Sequence, residues 1–477
     1  MESLSNRYRR MRQKTAGWGQ ESVLRFWDDL DPAAQEQFLD QLDQLDEAFI
    51  ASLNGRAWPP SEFQSGPLDA FTPLDHIPLP AKPDEEPTWQ RARQCGEALL
   101  AEGAVAALVV AGGQGTRLGF PGPKGLYPIG PVSRRSLFQY HTEKILALER
   151  RFGCIVPFYI MTSPANHQAT RDFFIREGFF GKDSESVHFF PQRMLPVFDP
   201  QGRLLLEDKG KLSLSPDGHG GVLHALKQHH LLEDMQQRGI RHLYYFQVDN
   251  VLARIADPVY LGFHHEKAAE MSARTVYKRD PWEKLGNIGL LGGQFRVIEY
   301  TELPEALKTA RNRDGRLLFG QGSIAIHLFS VDFLDRLLRQ RIELPYHIAF
   351  KKMASVPDQA PERTSDGLNA VKFEQFIFDA FRYASRVMVL ESDRRLEFSP
   401  IKNREGDDSP ETARRDLSEL YAGWLEACGR PPKRHADGSL AVRLEISPLV
   451  ALSAEELKSR LPAHLNVDAD LLLEDHS

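Results

Sequence analysis

At 477 residues the chain is too long for one small core, and 42% hydrophobic with 26% charged residues is the balance of a folded soluble protein, not of a disordered or fibrous one. Its 59 basic and 66 acidic residues leave a net charge of −7, which argues against a nucleic-acid partner but leaves room for a local phosphate pocket. There is no apolar run of about eighteen residues to span a membrane, and the basic start "MESLSNRYRRMRQK" has no apolar stretch behind it to act as a secretory leader. Three scattered cysteines, Cys95, Cys154 and Cys428, form no metal spacing and fit a reducing cytoplasm.

Residues 20–54 read as helical: Asp31 is a cap, Pro32 takes the first helical position, and Phe38, Leu42, Leu45 and Phe49 recur at helical spacing. Residues 55–88 are rich in proline and read as an extended arm, and a helix over 88–102 follows. The middle of the chain then alternates apolar runs with helical patterns. "AALVVAG" precedes the helix "SLFQYHTEKILALERRF", "VPFYIMTS" precedes "NHQATRDFFIREG", and the helix "GGVLHALKQHHLLEDMQQRG" precedes "HLYYFQVDN". Such alternation predicts crossover units and a doubly wound, mostly parallel sheet. "NIGLLGGQFRVIEYTE" is a hairpin pattern turning at Gly292-Gly293. Near 400 a helix opens with Ser409 as cap and Pro410 behind it, and the tail holds a strand or two and a short helix. The organisation expected is a helical N-terminal segment with its arm (1–100), an α/β catalytic domain (101–395) and a small α+β C-terminal domain (396–477).

One stretch carries chemistry. "VAALVVAGGQGTRLGFPGPKGLYPIG" ends a buried strand in glycines and then sets Arg117 and Lys124 in a loop dense with glycine and proline. Bare backbone at the carboxyl end of a strand lets N–H groups approach a polyphosphate, and two cations add charge that amides lack. It is neither of two familiar phosphate loops. The dinucleotide fingerprint fails at Leu118, and Lys124 lies between Pro123 and Gly125 with no Ser or Thr behind it. Asp249, at the end of "HLYYFQV", is a carboxylate placed to hold a metal ion or to cap a turn.

This stretch resembles the signature of the eukaryotic-type UDP-sugar pyrophosphorylases, above all the UDP-N-acetylhexosamine pyrophosphorylases. Further likenesses follow in order: "IMTS", "FFPQRMLPV", "SLSPDGHGGVLHAL", "YFQVDNVLARIADP", "VIEYTEL", "DGRLLFGQGSIAIHLF", "AVKFEQFIFD", "EFSPIKNREGDDSPETAR" and "EISPLV". The resemblance implies a Rossmann-like nucleotidyltransferase fold and Mg²⁺-dependent transfer of a uridylyl group from UTP to a sugar 1-phosphate, giving a UDP-sugar and pyrophosphate. It implies Ala111, Gly112, Gly113 and Gly115 at the nucleotide, and Arg117 and Lys124 at the departing pyrophosphate. Asp249 would serve the nucleotide and the metal, Gln192 and Gly218 the uracil, and Lys372 and Lys402 the reacting phosphates. Glu299 and Tyr300 match sugar contacts. Phe376 and Phe378 read as core and stay outside this set. The segment carrying Lys402 lies where the C-terminal tail begins, so closure of that tail is one way to complete the site.

Two positions depart from the N-acetylhexosamine pattern: His219 and Ser323 stand where that family has asparagines at the sugar. His219 matches instead the enzymes acting on glucose or on a broad set of sugars. Overall resemblance makes N-acetylglucosamine 1-phosphate the expected substrate, and His219 alone makes glucose or galactose 1-phosphate the alternative. A non-catalytic UDP-sugar sensor is a rival from another class, disfavoured because a pure binder needs no cation at a leaving group.

Overall fold

Val105–Val110 reads VAALVV, and its first five residues are buried, as a strand covered on both faces requires. It pairs in parallel with Phe158–Thr162 on one side and His242–Gln247 on the other, and Phe158–Thr162 pairs in parallel with Val187–Pro191. The chain thus winds outward through two strands and then returns to the far side of the first. That reversal opens a crevice between the carboxyl ends of Val105–Val110 and His242–Gln247, where doubly wound sheets place ligands.

The computed structural model describes residues 2–53, 68, 70–356, 367–462 and 465–475. Beyond the parallel core the sheet is mixed. Gln321–Ser330 runs antiparallel to His242–Gln247 and to Met271–Tyr277, which is parallel to Val387–Glu391. The hairpin forms as expected: Gly286–Leu291 and Gln294–Ile298 pair around Gly292 and Gly293, whose φ values of 59° and 78° suit a tight right-twisted turn. Of the proline-rich arm, residues 54–67 and 69 lie outside the described residues. The rest adds Phe71–Thr72 to the sheet edge beside Leu290 and Leu291, and Ile77 bridges Leu390.

Contacts group the chain into two units whose limits differ from the three parts expected. The larger comprises 68–191, 225–342 and 380–477, and the smaller comprises 1–67, 192–224 and 343–379. In the larger unit the C-terminal helix Pro410–Ala427 buries Ala413, Leu417, Tyr421 and Leu425 in the same core as the sheet, which is why no separate C-terminal body forms. In the smaller unit Phe38, Leu42 and Phe49 of the N-terminal helices share a core with Phe198, Leu204, Val371 and Phe373. Asp31 caps its helix as the sequence predicts, accepting from the Ala34 N–H, but the helical stretch divides into Pro32–Asp43 and Glu47–Leu53. An additional helix, Leu4–Gly17, has Ser3 as its cap. The pattern over 220–239 also divides, into Val222–Gln228 and Leu231–Gln237, with His230 left-handed between them. Among the described residues no helix is long and apolar enough to cross a membrane.

Candidate active site

Past Ala111 the glycine loop folds back on itself. The Gly115 N–H donates to the Gly122 carbonyl at 2.8 Å, and the Lys124 N–H donates to the Gly113 carbonyl at 3.0 Å. Asn166 holds the entrance, giving its amide N–H to the Ala111 carbonyl at 2.9 Å. Two short turns, Thr116–Leu118 and Lys124–Leu126, carry the two cations. Arg117 is exposed on the first. On the second, Gly125 lies so close to Phe138 that a Cβ would stand 2.1 Å from the ring, so glycine is what lets the lysine turn seat on the core.

Across the crevice, Asp249 leaves the end of His242–Gln247 and meets Lys124, with Nζ 3.1 Å from Oδ2 and the two side chains only 19% and 16% exposed. The helix Leu137–Phe152 supports this segment from beneath. His141 Nε2 donates to the Val248 carbonyl at 2.9 Å, and Lys144 Nζ donates to the carbonyls of Val251 and Ala253 at 2.6 and 2.9 Å. Burial pushes the His141 imidazole down to about 3, so it is neutral, and burial pushes Lys144 down to about 7.

Lys402 comes to the same place through the backbone. The Ile401 N–H donates to the Asp249 carbonyl at 3.0 Å, while Asn250 donates to the Glu397 carbonyl and accepts from the Ser399 N–H. Glu397 is itself fixed by Arg274, which also bonds Asp257, all three fully buried. Burial works against the Arg274 charge, but Glu397 and Asp257 outweigh it and raise its pKa. The segment carrying Lys402 is therefore tied to the strand end by several bonds and is not a separate lid. Arg274, Glu397, His141 and Lys144 have no signal in the sequence, because each acts through a partner far along the chain.

The expected sugar contacts of the larger unit also converge. Asn287 pairs with Gly322 on one side and Ile298 on the other, and Gly286 pairs with Ser323, so Ser323 and Glu299 fall at one level of the sheet. Tyr300 follows in the turn that begins at Glu299, whose carbonyl accepts from the N–H groups of Glu302 and Leu303. Buried Lys278 reaches Asn287 Oδ1 at 2.5 Å and holds this row from within, another contact the sequence reading missed.

Gln192, Gly218, His219 and Lys372 belong to the smaller unit. Gln192 is buried directly after Pro191. Gly218 has φ 82°, and a Cβ there would lie 2.4 Å from the Gln375 carbonyl oxygen, so side chains are excluded twice over. His219 Nδ1 accepts from the Ile377 N–H at 3.2 Å, which puts the ring proton on Nε2. Its imidazole stacks on Phe376 at 5.2 Å and 22°. Phe376, set aside as core from the sequence, thus orients a candidate sugar contact; the alternating aromatics of "FEQFIFD" were the signal. Lys372 lies on Ala370–Gln375 opposite Ala349, its pKa lowered by burial against the opposing pull of Glu374.

Among the described residues no group of three or more His, Cys, Asp or Glu could hold a metal ion. A single half-buried carboxylate at the crevice instead suits Mg²⁺, which takes one or two protein carboxylates and completes its shell with phosphate oxygens and water.

Residues 83–417 match the family described as UTP–glucose-1-phosphate uridylyltransferase. The chain is 40% identical over 396 residues to a probable UDP-N-acetylglucosamine pyrophosphorylase of Dictyostelium discoideum, spanning 79% of this chain and 80% of that one. It is 37% identical to the UDP-N-acetylglucosamine pyrophosphorylase of Saccharomyces cerevisiae, over 92% of this chain and 94% of that one. The solved uridine diphosphate N-acetylglucosamine pyrophosphorylase of Trypanosoma brucei superposes with a TM-score of 0.82 at 27% identity, covering 100% of this chain and 99% of the other.

Proposed function

Because the chain belongs to the UTP–glucose-1-phosphate uridylyltransferase family, we propose that it joins UTP to N-acetylglucosamine 1-phosphate, releasing pyrophosphate and a UDP-sugar. The observation that carries this reading is the Lys124–Asp249 pair at the switch point of the parallel sheet, beside a glycine loop and Lys402. A phosphate oxygen of the sugar 1-phosphate attacks the α-phosphorus of UTP in line, and the bond to the oxygen bridging the β-phosphate breaks. No proton need move, so the protein's work is placement and charge.

The amides of Gly112 and Gly113 receive the phosphates, Gly115 shapes the loop through its bond to the Gly122 carbonyl, and Arg117 and Lys124 neutralise the pyrophosphate as it departs. Asp249 would hold Mg²⁺, which when bound supplies charge neutralisation at the phosphate oxygens. Lys402 serves the α-phosphate or the sugar phosphate, and Lys372 is assigned to the same phosphates. Gln192 presents an amide that both donates to and accepts from a pyrimidine edge, and Gly218 leaves backbone open to the base. Glu299, Tyr300, Ser323 and His219 are assigned to the sugar. Glucose or galactose 1-phosphate is the second reading, favoured by His219 and by the loss of two asparagines at positions 219 and 323.

The test is pyrophosphate release from UTP and Mg²⁺ with the 1-phosphates of N-acetylglucosamine, N-acetylgalactosamine, glucose and galactose in parallel. Preference for N-acetylglucosamine supports the proposal. Preference for glucose or galactose makes His219 the reader of the sugar, and silence with all four defeats both readings.

A further inference from the structure

Within the larger unit, apart from the groups above, a cavity of about 460 Å³ lies between the turn at 130–134 and the helix Pro410–Ala427. Four guanidiniums line it, those of Arg134, Arg414, Arg415 and Arg443, against one carboxylate, Glu419. Some of this charge is already committed: Arg443 pairs with Asp470, Arg415 with Asp416, and Glu419 with Arg434. Arg134 and Arg414 have no carboxylate partner among the described residues. Arg414 gives one N–H to the Pro128 carbonyl at 2.6 Å, which leaves most of its donors unspent.

The turn that carries Arg134 is built with care. Arg134 has φ 61°, a left-handed backbone that a side chain disfavours. Fully buried Glu445 braces it, accepting from the N–H groups of Val132 and Ser133 at 2.7 Å each and from the Tyr140 hydroxyl at 2.7 Å. Strained backbone held by a buried carboxylate keeps Arg134 in the cavity lining together with three other arginines. Val132, Leu440 and Val442 add apolar surface, and Ser418 and Ser439 add hydroxyls.

A recess of this volume, lined mainly by charged and polar side chains with an excess of guanidiniums, suits a small anionic molecule. Planar guanidinium forks match phosphate oxygens in pairs. We propose that this cavity binds a phosphate-bearing small molecule at a site distinct from the glycine loop. This inference stands whether or not the uridylyl-transfer assignment of individual residues is right.

The test is calorimetric titration of the full chain with inorganic phosphate and with glucose 6-phosphate, which separate a free anion from a phosphate ester, and with citrate as a carboxylate control. Each is run with and without saturating UDP-N-acetylglucosamine, and on Arg134→Ala and Arg414→Gln. Saturable binding of either phosphate probe is expected, unaffected by the UDP-sugar and weakened about tenfold or more in Arg134→Ala, the scale of one charge-assisted contact. Turnover of Arg134→Ala without probe should match that of the parent. The proposal is overturned if neither phosphate probe saturates, if the UDP-sugar displaces them, if both variants bind as the parent does, or if citrate binds as tightly. Arg134 is exposed and replaces no internal contact, so its variant reads the cavity even if Arg414→Gln fails to fold.

Discussion

Lys124 and Asp249 hold each other at 3.1 Å, both largely buried in the crevice. In the function proposed, incoming phosphates would compete for the lysine and Mg²⁺ for the carboxylate, so the pair would be exchanged for ligand contacts with neither charge left bare. A cation that acts at a leaving group matters most when charge develops there. Lys124→Ala should lower kcat by ~10²–10³ while changing UDP-sugar affinity by much less; steady-state rates beside equilibrium binding will separate the two effects. Gly218 makes a different kind of demand. With φ 82° and ψ 174°, a region reached almost only by glycine, and the Gln375 carbonyl 2.4 Å from where a Cβ would sit, Gly218→Ala should cost about 1–3 kcal/mol in backbone strain before any clash is counted, and a lowered urea midpoint will report it.

Among the elements, the helix Leu137–Phe152 does more than cover the sheet. His141 and Lys144, one turn apart, donate to three carbonyls on either side of Asp249. Lys144→Met should leave the Val251 and Ala253 carbonyls unpaired, at about 1–3 kcal/mol for each buried group. The expected readout is a lower denaturation midpoint with a raised Mg²⁺ requirement, largely restored in Lys144→Arg. None of this support was legible in the sequence, whereas local features were. Asp31, Ser409 and the Gly292-Gly293 turn were readable because a cap or a tight turn is decided by neighbours within a few residues. The division of the chain at His230 was not, because "KQHHLLED" contains no glycine or proline and the left-handed residue gives no compositional sign. The glycine loop, Asp249 and Lys402 were readable as motifs; Phe376 was hidden because a ring that orients His219 looks, in sequence, like any core aromatic.

At the scale of the molecule, the units could not be read off because they are not contiguous. Phe49 meets Phe198 and Phe373 in one core, and no periodicity links such distant stretches. The two units should also answer acid differently. In the larger, burial lowers His141 to about 3 and His242 and His327 to about 4. Between pH 6.5 and about 4 the unfolded chain takes up these protons and the folded unit does not, so its stability falls as pH falls. Three such groups contribute a slope of up to about 4 kcal/mol per pH unit. In the smaller unit Asp217, raised to about 6 by burial, works the other way: the folded state takes the proton first, so acidification from 6 towards 3.8 adds stability there. Urea denaturation at pH 7 and pH 5, followed by probes in each unit, should show the larger unit losing more.

The central claim is that the α-phosphate of UTP passes to the sugar phosphate while pyrophosphate leaves. Turnover of UTP labelled at the α-phosphate, with N-acetylglucosamine 1-phosphate and Mg²⁺, tests it most directly. All transferred label should appear in the UDP-sugar, and the unlabelled product should be pyrophosphate. Label retained in UDP, with free phosphate released or a phosphoryl group moved onto the sugar, would contradict the account.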